Sequence, residues 1–166
     1  MKRIGIFYGS TTGTTKEVAH QIAKALDVAE SDIHDVADVA PSAVAPYDVL
    51  VLGSSTWGNG DMQDDWYDFA DGLQAIDLKG RKIALFGCGD ENMSETFCNA
   101  VGDMYDRLKD TGAEFIGAFN VDGYDFNHTN AMRDGQIIGL LIDDVNHSDM
   151  TPGRIRDWAA VVSAEV

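Results

Sequence analysis

Ile4-Gly5-Ile6-Phe7-Tyr8-Gly9-Ser10-Thr11-Thr12-Gly13-Thr14-Thr15 is the stretch from which the rest of the chain is read. Ile4–Tyr8 is a short apolar run of the kind that forms a strand buried on both faces of a parallel sheet. The run breaks at Gly9 into a loop of five hydroxyl side chains and two glycines, after which Val18, Ile22, Ala25 and Leu26 fall at helical spacing. Backbone N–H groups at a helix start have no intrahelical acceptor and carry the positive end of the helix dipole. Hydroxyl donors added to them make a cradle for phosphate. The loop holds no Lys, Arg or acidic residue. It therefore differs from the nucleoside-triphosphate loop, which needs a Lys before its Ser/Thr, and it does not spell Gly-x-Gly-x-x-Gly. Neutral donors suit a phosphate monoester held without a metal. Ser and Thr are also ordinary helix caps; one cap needs one hydroxyl, and the surplus points to an anion.

The same alternation continues outward. Asp32–Val36 reads as a short edge strand, and Val49–Gly53 as a buried one. Lys82–Gly87, Glu114–Phe119 and Ile137–Ile142 are further strand-like runs. Between them Trp66, Phe69, Ala70 and Leu73, then Phe97, Val101, Met104, Tyr105 and Leu108, mark helices; from about Asn120 to Gln136 regularity fails. The last helix is expected from Thr151 or Pro152 to Ala164, with Thr151 as N-cap and Pro152 at the first helical position. Strand–helix units in alternation imply a parallel sheet covered on both faces, joined by right-handed connections.

The chain has 166 residues, 45% of them hydrophobic, which fits a single globular domain spanning 1–166. No apolar run reaches membrane-spanning length, and the first residues read as a strand rather than a signal peptide. Two cysteines, Cys88 and Cys98, make no disulfide framework or zinc spacing, so a reducing cytoplasm is expected. Twelve basic against 28 acidic residues give a formal net charge of −16. Such a surface repels nucleic acid and anionic membranes and is steered toward basic protein partners, although it also serves plain solubility. His20, His34, His128 and His147 show no metal-ligand spacing and read as surface residues.

In open α/β sheets, ligands bind outside the carboxyl ends of the strands where the winding direction reverses. That rule adds two loops to the first. Ser54-Ser55-Thr56-Trp57-Gly58-Asn59-Gly60-Asp61 offers an aromatic face beside glycines; the indole either stacks on a ligand or packs on the next helix. Gly87-Cys88-Gly89-Asp90-Glu91-Asn92-Met93-Ser94 has two glycines that permit close backbone approach. A phosphatase-type Cys88 would need an Arg where Ser94 stands, so Cys88 reads as a small packing residue.

Together, Ser10–Thr15, Thr56-Trp57-Gly58, Gly87-x-Gly89-Asp90, Asp122-Gly123-Tyr124-Asp125-Phe126, Asp134-Gly135-x-x-x-Gly139-Leu140 and Asp143-x-x-Asn146 resemble the flavodoxin family, specifically its long-chain members, over nearly the whole chain. The resemblance implies a flavodoxin-like three-layer α/β/α sandwich. Its five-stranded parallel sheet would run in the order 2-1-3-4-5, with the last strand interrupted by the loop at Asn120–Gln136. It implies a non-covalent flavin mononucleotide (FMN) and a low-potential one-electron carrier, without substrate turnover of its own, cycling mainly between semiquinone and hydroquinone. Ser10, Thr11, Thr12, Gly13, Thr14 and Thr15 would hold the phosphate, and Ser54, Ser55 and Thr56 would follow the ribityl chain and ring edge. Trp57 would cover the inner ring face. Gly58, Asn59 and Gly60 would lie beside flavin N5, the Gly58–Asn59 peptide turning toward it. Cys88, Gly89 and Asp90 would meet the pyrimidine end through their backbone. Phe97 belongs to the same cofactor-binding set. Most relatives cover the outer face with a Tyr where this chain has Met93, which implies looser flavin binding; at Val145 relatives often have an Asp near the ribityl chain. Expected partners are redox proteins with basic docking surfaces, such as flavin reductases or oxidoreductases, met by a monomer. Two other classes remain in view. A flavin-dependent quinone reductase would need a nicotinamide site, and a phospho-receiver domain would need an Asp where Gly53-Ser54 stand.

Overall fold

In a computed structural model of the chain, residues 2–57, 61–92 and 96–166 are described, Trp57 in its backbone alone. The strands are β1 (Ile4–Gly9), β2 (Ile33–Asp35), β3 (Val49–Trp57), β4 (Asp61–Met62), β5 (Lys82–Cys88), β6 (Glu114–Ile116), β7 (Met132–Arg133), β8 (Gln136–Ile137) and β9 (Gly139–Ile142). The helices are α1 (Thr14–Leu26), α2 (Asp65–Gln74), α3 (Asn99–Leu108) and α4 (Thr151–Glu165), with single 3₁₀ turns at Glu30–Asp32 and Pro41–Val44. The sheet runs β2-β1-β3-β5-β6, with β9 also paired to β5 and every one of these pairs parallel. Here β6 and β9 are two halves of one strand: β6 pairs with Lys82–Ala84 and β9 takes over at Leu85. The predicted order and the interrupted last strand are what the structure contains.

The sheet divides its apolar residues by parity, as a strand's two-residue period requires. Phe7, Leu50, Leu52, Ile83 and Leu85 face one layer, with Trp66, Phe69 and Leu73 of α2 and Val101, Met104 and Leu108 of α3. Ile6, Tyr8, Val49, Val51, Ala84 and Phe86 face the other, with Val18, Ile22 and Ala23 of α1 and Ile155, Trp158 and Val162 of α4. Burial of each large side chain stabilises by about 1.5–3 kcal/mol, which is why helices cover both faces. Each layer also ties an indole to the sheet, one within β3 and one just past β6. Trp66 Nε1 donates to Gly53 O and Trp158 Nε1 to Gly117 O, both at 2.7 Å.

Several boundaries differ from the sequence reading. The strand expected over Glu114–Phe119 stops at Ile116 because Gly117, with φ +81°, turns the chain out of the sheet. Within the region expected to be irregular, β7 and β8 pair as an antiparallel hairpin. Its turn residues Asp134 and Gly135 have φ of +52° and +77°, the left-handed pair that a tight hairpin prefers. Thr151 is not the cap of α4. Met150 occupies that position, and the Thr151 hydroxyl donates instead to Asp144 Oδ1 at 2.8 Å. Among the described residues, no helix is long and apolar enough to cross a membrane.

Candidate functional site

Gly9 in β1 pairs with Ser54 in β3, and Ser54 with Gly87 in β5, so three loops leave the sheet at one level. Helix α1 begins at Gly13, whose φ of +97° turns the chain from loop to helix without a side-chain cap. The Gly13 N–H donates to Ser10 Oγ at 3.0 Å, and the first helical bond is Glu17 N–H to Gly13 O. That pattern leaves the amides of Thr14, Thr15 and Lys16 without an intrahelical acceptor. Thr11, Thr12 and Gly13 are exposed, Ser10 and Thr14 half-buried, and Thr15 fully buried. The Thr15 hydroxyl finds no hydrogen-bond partner by geometry. Its polar company is the Cys88 thiol, and a thiol is a weak partner for a hydroxyl. The abundance of hydroxyls is thus not spent on capping the helix.

The second loop is more regular than its composition implied. Strand β3 continues through Ser54, Ser55 and Thr56 to Trp57 and pairs antiparallel with β4, Thr56 opposite Met62 and Trp57 opposite Asp61. Ser54 is fully buried, and its hydroxyl donates to Ser55 O at 2.8 Å while accepting the Gln63 N–H at 3.0 Å. Thr56 Oγ1 accepts the Ala100 N–H at 3.2 Å, fastening the hairpin arm to α3. Gln63, which the sequence did not single out, reaches the first loop: its Nε2 donates to Thr11 Oγ1 at 3.4 Å and to Asp65 Oδ2 at 2.8 Å. The only sequence signal for it is an amide residue immediately after the hairpin. Gly58, Asn59 and Gly60, the Trp57 side chain, and Met93 with Ser94 lie outside what is described.

In the third loop, Cys88 is buried, and Gly87 and Gly89 are glycines because α3 starts against them. A Cβ on Gly89 would lie 2.9 Å from Cys98 N, and one on Gly87 would meet Val101. Burial pushes the Cys88 thiol up to about 12 and the Cys98 thiol well above its ordinary value, so both are inert packing groups. Phe97 is fully buried, stacked on Phe126 with centroids 4.9 Å apart and edge-on to Tyr124. Asp90 is half-buried; its Oδ1 accepts from Asn92 N at 2.8 Å and from Asn146 Nδ2 at 2.7 Å.

Behind the third loop stands a network the sequence reading left without a role. Asp143 is fully buried, and its carboxylate accepts four N–H bonds: Val145 N and Asn146 N on Oδ1, Glu91 N and Asn146 Nδ2 on Oδ2, at 2.9–3.1 Å. His147, expected at the surface, is half-buried with Nε2 2.7 Å from Glu91 Oε1. His34 is likewise half-buried, stacked on Phe7 and 2.8 Å from the Tyr47 hydroxyl. Glu91, Asp143 and His147 bring ligand-type atoms within 4.8 Å of one another. Their lone pairs already serve N–H donors, which makes the cluster a hydrogen-bonded joint rather than a cation cage. Tyr124 accepts the Asp143 N–H at 3.1 Å and lies under the buried Arg154 guanidinium, 4.5 Å from its ring centroid. Arg154 donates to Asn120 O and Leu141 O at 2.7 and 3.2 Å, and burial lowers its pKa. The site is an open rim of loops. A cavity of about 630 Å³ at the opposite end of the sheet, walled by Arg3, Leu26, Val28 and Val166, touches none of them.

The profile of the family described as Flavodoxin matches residues 6–158. The chain is 41% identical over 170 residues to Flavodoxin 1 of Azotobacter vinelandii, covering 99% of this chain and 98% of that protein. It is 36% identical over 168 residues to the flavodoxin of Synechococcus elongatus, with the same coverage of 99% and 98%. Among solved structures, Fusobacterium nucleatum flavodoxin bound to flavin mononucleotide superimposes with a TM-score of 0.90 at 30% identity, covering 99% of each chain.

Proposed function

The chain belongs to the flavodoxin family, and from that premise we propose how its own loops hold FMN and hand on electrons. The protein is an FMN-binding electron carrier that serves redox partners. The buried Thr15 hydroxyl in the first turn of α1, whose polar company is no better than the Cys88 thiol, carries the reading. A buried hydroxyl left unpaired destabilises by about 1–3 kcal/mol, so its partner is expected to arrive with a ligand. Three free amides, a ring of hydroxyls and no cation fit a phosphate monoester gripped by hydrogen bonds.

Ser10, Thr11, Thr12, Gly13, Thr14 and Thr15 hold the phosphate in this proposal. Ser55 and Thr56 follow the ribityl chain, with fully buried Ser54 bracing them from within the hairpin. Trp57 serves the inner ring face, and Gly58, Asn59 and Gly60 the N5 side. Met93 serves the outer face. Gly89 and Asp90 present backbone to the pyrimidine end, with Cys88 and Phe97 packed behind them. The flavin ring supplies the one-electron chemistry. The chain contributes position and field. At an effective dielectric of about 20, each carboxylate about 10 Å away opposes a second electron by roughly 1.7 kcal/mol, less after salt screening. Asp61, Asp64 and Asp65 follow β3 closely in sequence, and Asp90 and Glu91 follow β5, which supports a low potential for the second electron as the working one. The acidic surface favours partners with basic docking faces; the carrier is taken as a monomer acting as one unit over 1–166, without substrate turnover of its own, in the cytoplasm.

Titrating FMN with the apoprotein tests the proposal. Flavin fluorescence should quench to a one-to-one end point, and stepwise reduction should resolve two separate one-electron waves. Absence of quenching overturns the reading, and a single two-electron wave overturns its redox half.

A further inference from the structure

We propose that Glu91 is a positioning residue for the flavin-facing third loop, clasping that loop to both the segment before α4 and the excursion inserted between β6 and β9. The inference rests on the FMN reading above. Glu91 follows Asp90, and its side chain points away from the rim: the side chains of Glu91 and His147 keep only 11% and 25% of their exposure. One carboxylate oxygen, Oε1, meets His147 Nε2 at 2.7 Å; the other, Oε2, accepts the Asp125 N–H at 2.7 Å. Its own backbone N–H is held by the buried Asp143 carboxylate at 3.1 Å. Three segments remote in sequence, around 91, 125 and 147, therefore converge on one side chain.

The joint is stiff on its far side. His147 lies against the Tyr124 ring, with centroids 5.2 Å apart, and Tyr124 is fixed by the Asp143 N–H and the Arg154 guanidinium. Asn146 completes it by donating to Asp90 and Asp143 at once. Glu91 and Asp90 are thus pinned to the same frame, and the backbone of Gly89 and Asp90 has its place set before a ligand arrives. Prepaid order of this kind raises affinity because less freedom is lost on binding. Glu91 touches no part of the proposed phosphate cradle, so its effect belongs to the ring end of the ligand.

The test compares wild type, Glu91→Ala, Glu91→Gln, His147→Ala and Glu91→Ala/His147→Ala for affinity to FMN and to riboflavin, which lacks the phosphate. Loss of a buried, charge-assisted tie predicts that Glu91→Ala weakens both ligands by the same factor, about tenfold. Glu91→Gln keeps an acceptor for the Asp125 N–H and should recover most of the affinity. The double variant should bind no worse than Glu91→Ala, because the His147 tie is already lost. Unchanged affinities in a wild type that does bind FMN overturn the proposal. So do a loss confined to FMN, a Glu91→Gln variant as weak as Glu91→Ala, and a lower melting temperature with unaltered affinity. A wild type that fails to quench FMN overturns the functional reading itself.

Discussion

Replacing Thr15 with Val should move stability and affinity in opposite directions. Val keeps the shape of Thr and its β-branch at the second position of α1, removing only a hydroxyl that is fully buried and unpaired in the apoprotein. An unsatisfied buried group destabilises by about 1–3 kcal/mol; the weak Cys88 contact offsets part of it, so a gain of about 1 kcal/mol is expected. For a chain of this length that raises the apoprotein melting temperature by roughly 2–4 °C. In the FMN complex the same hydroxyl would donate to a charged phosphate oxygen, a bond worth about 1.5–3 kcal/mol. Its loss weakens FMN binding about 10- to 100-fold. Urea or thermal unfolding of the apoprotein gives the first quantity and fluorimetric titration the second. A Thr15→Val apoprotein that is less stable, or a dissociation constant within about twofold of wild type, would falsify the assignment of Thr15 to the phosphate.

Gly13→Ala introduces no clash, since nothing lies within 4 Å of the added carbon; backbone strain at φ +97° alone should destabilise by about 1–2 kcal/mol, and a melt shift near zero would contradict the left-handed geometry. Asp106 takes a two-pronged bond from Arg133, at 2.7 and 3.1 Å, which holds its carboxyl below the ordinary value despite partial burial. That support is present above the unfolded value and fades as pH falls through the folded one. Being partly exposed, it contributes about 0.5–1 kcal/mol at neutral pH, so Asp106→Asn should speed hydrogen exchange in the β7–β8 hairpin while barely altering the global melt. Burial lowers the pKa of His34 below 6.5, with Asp32 opposing the shift. The unfolded chain then binds more protons, and stability should decline as pH drops through about 6.5 and below, until the folded-state imidazole is itself protonated. His34→Gln should flatten that slope, and superimposable profiles would exclude His34 as its source.

What the sequence disclosed follows from the range of the signal. The buried strands announced themselves because both sheet faces are covered, so Val49–Leu52 and Ile83–Phe86 are apolar without interruption. The phosphate loop was legible because hydroxyls, glycines and a helix start are contiguous in the chain. The hairpin arm Ser54–Trp57 was not: Ser54, Ser55 and Thr56 are polar and the strand partner β4 is only two residues long. Gly87 and Gly89 were read as permitting close approach of a ligand; a second demand on them, the start of α3 packing at Cys98 and Val101, lies nine or more positions downstream and left no local mark. The Glu91–Asp143–His147 joint joins residues more than fifty positions apart, and only the sheet order brings them together. No local pattern records such a meeting. His34 and His147 were misplaced for that reason.

The split fifth strand has one more implication. Ile116 stands opposite Ala84, and Gly139 stands opposite Leu85, so the ladder skips no rung where the chain departs and returns. Ile116 and Gly139, which flank the excursion, are therefore one strand step apart, about 3.3 Å along the sheet. Such adjacency makes the position a natural graft port: a foreign peptide whose ends meet could be spliced there without perturbing pairing on either side. Lengthening the detour should slow folding through loop closure far more gently than it adds residues, because that entropy grows only logarithmically.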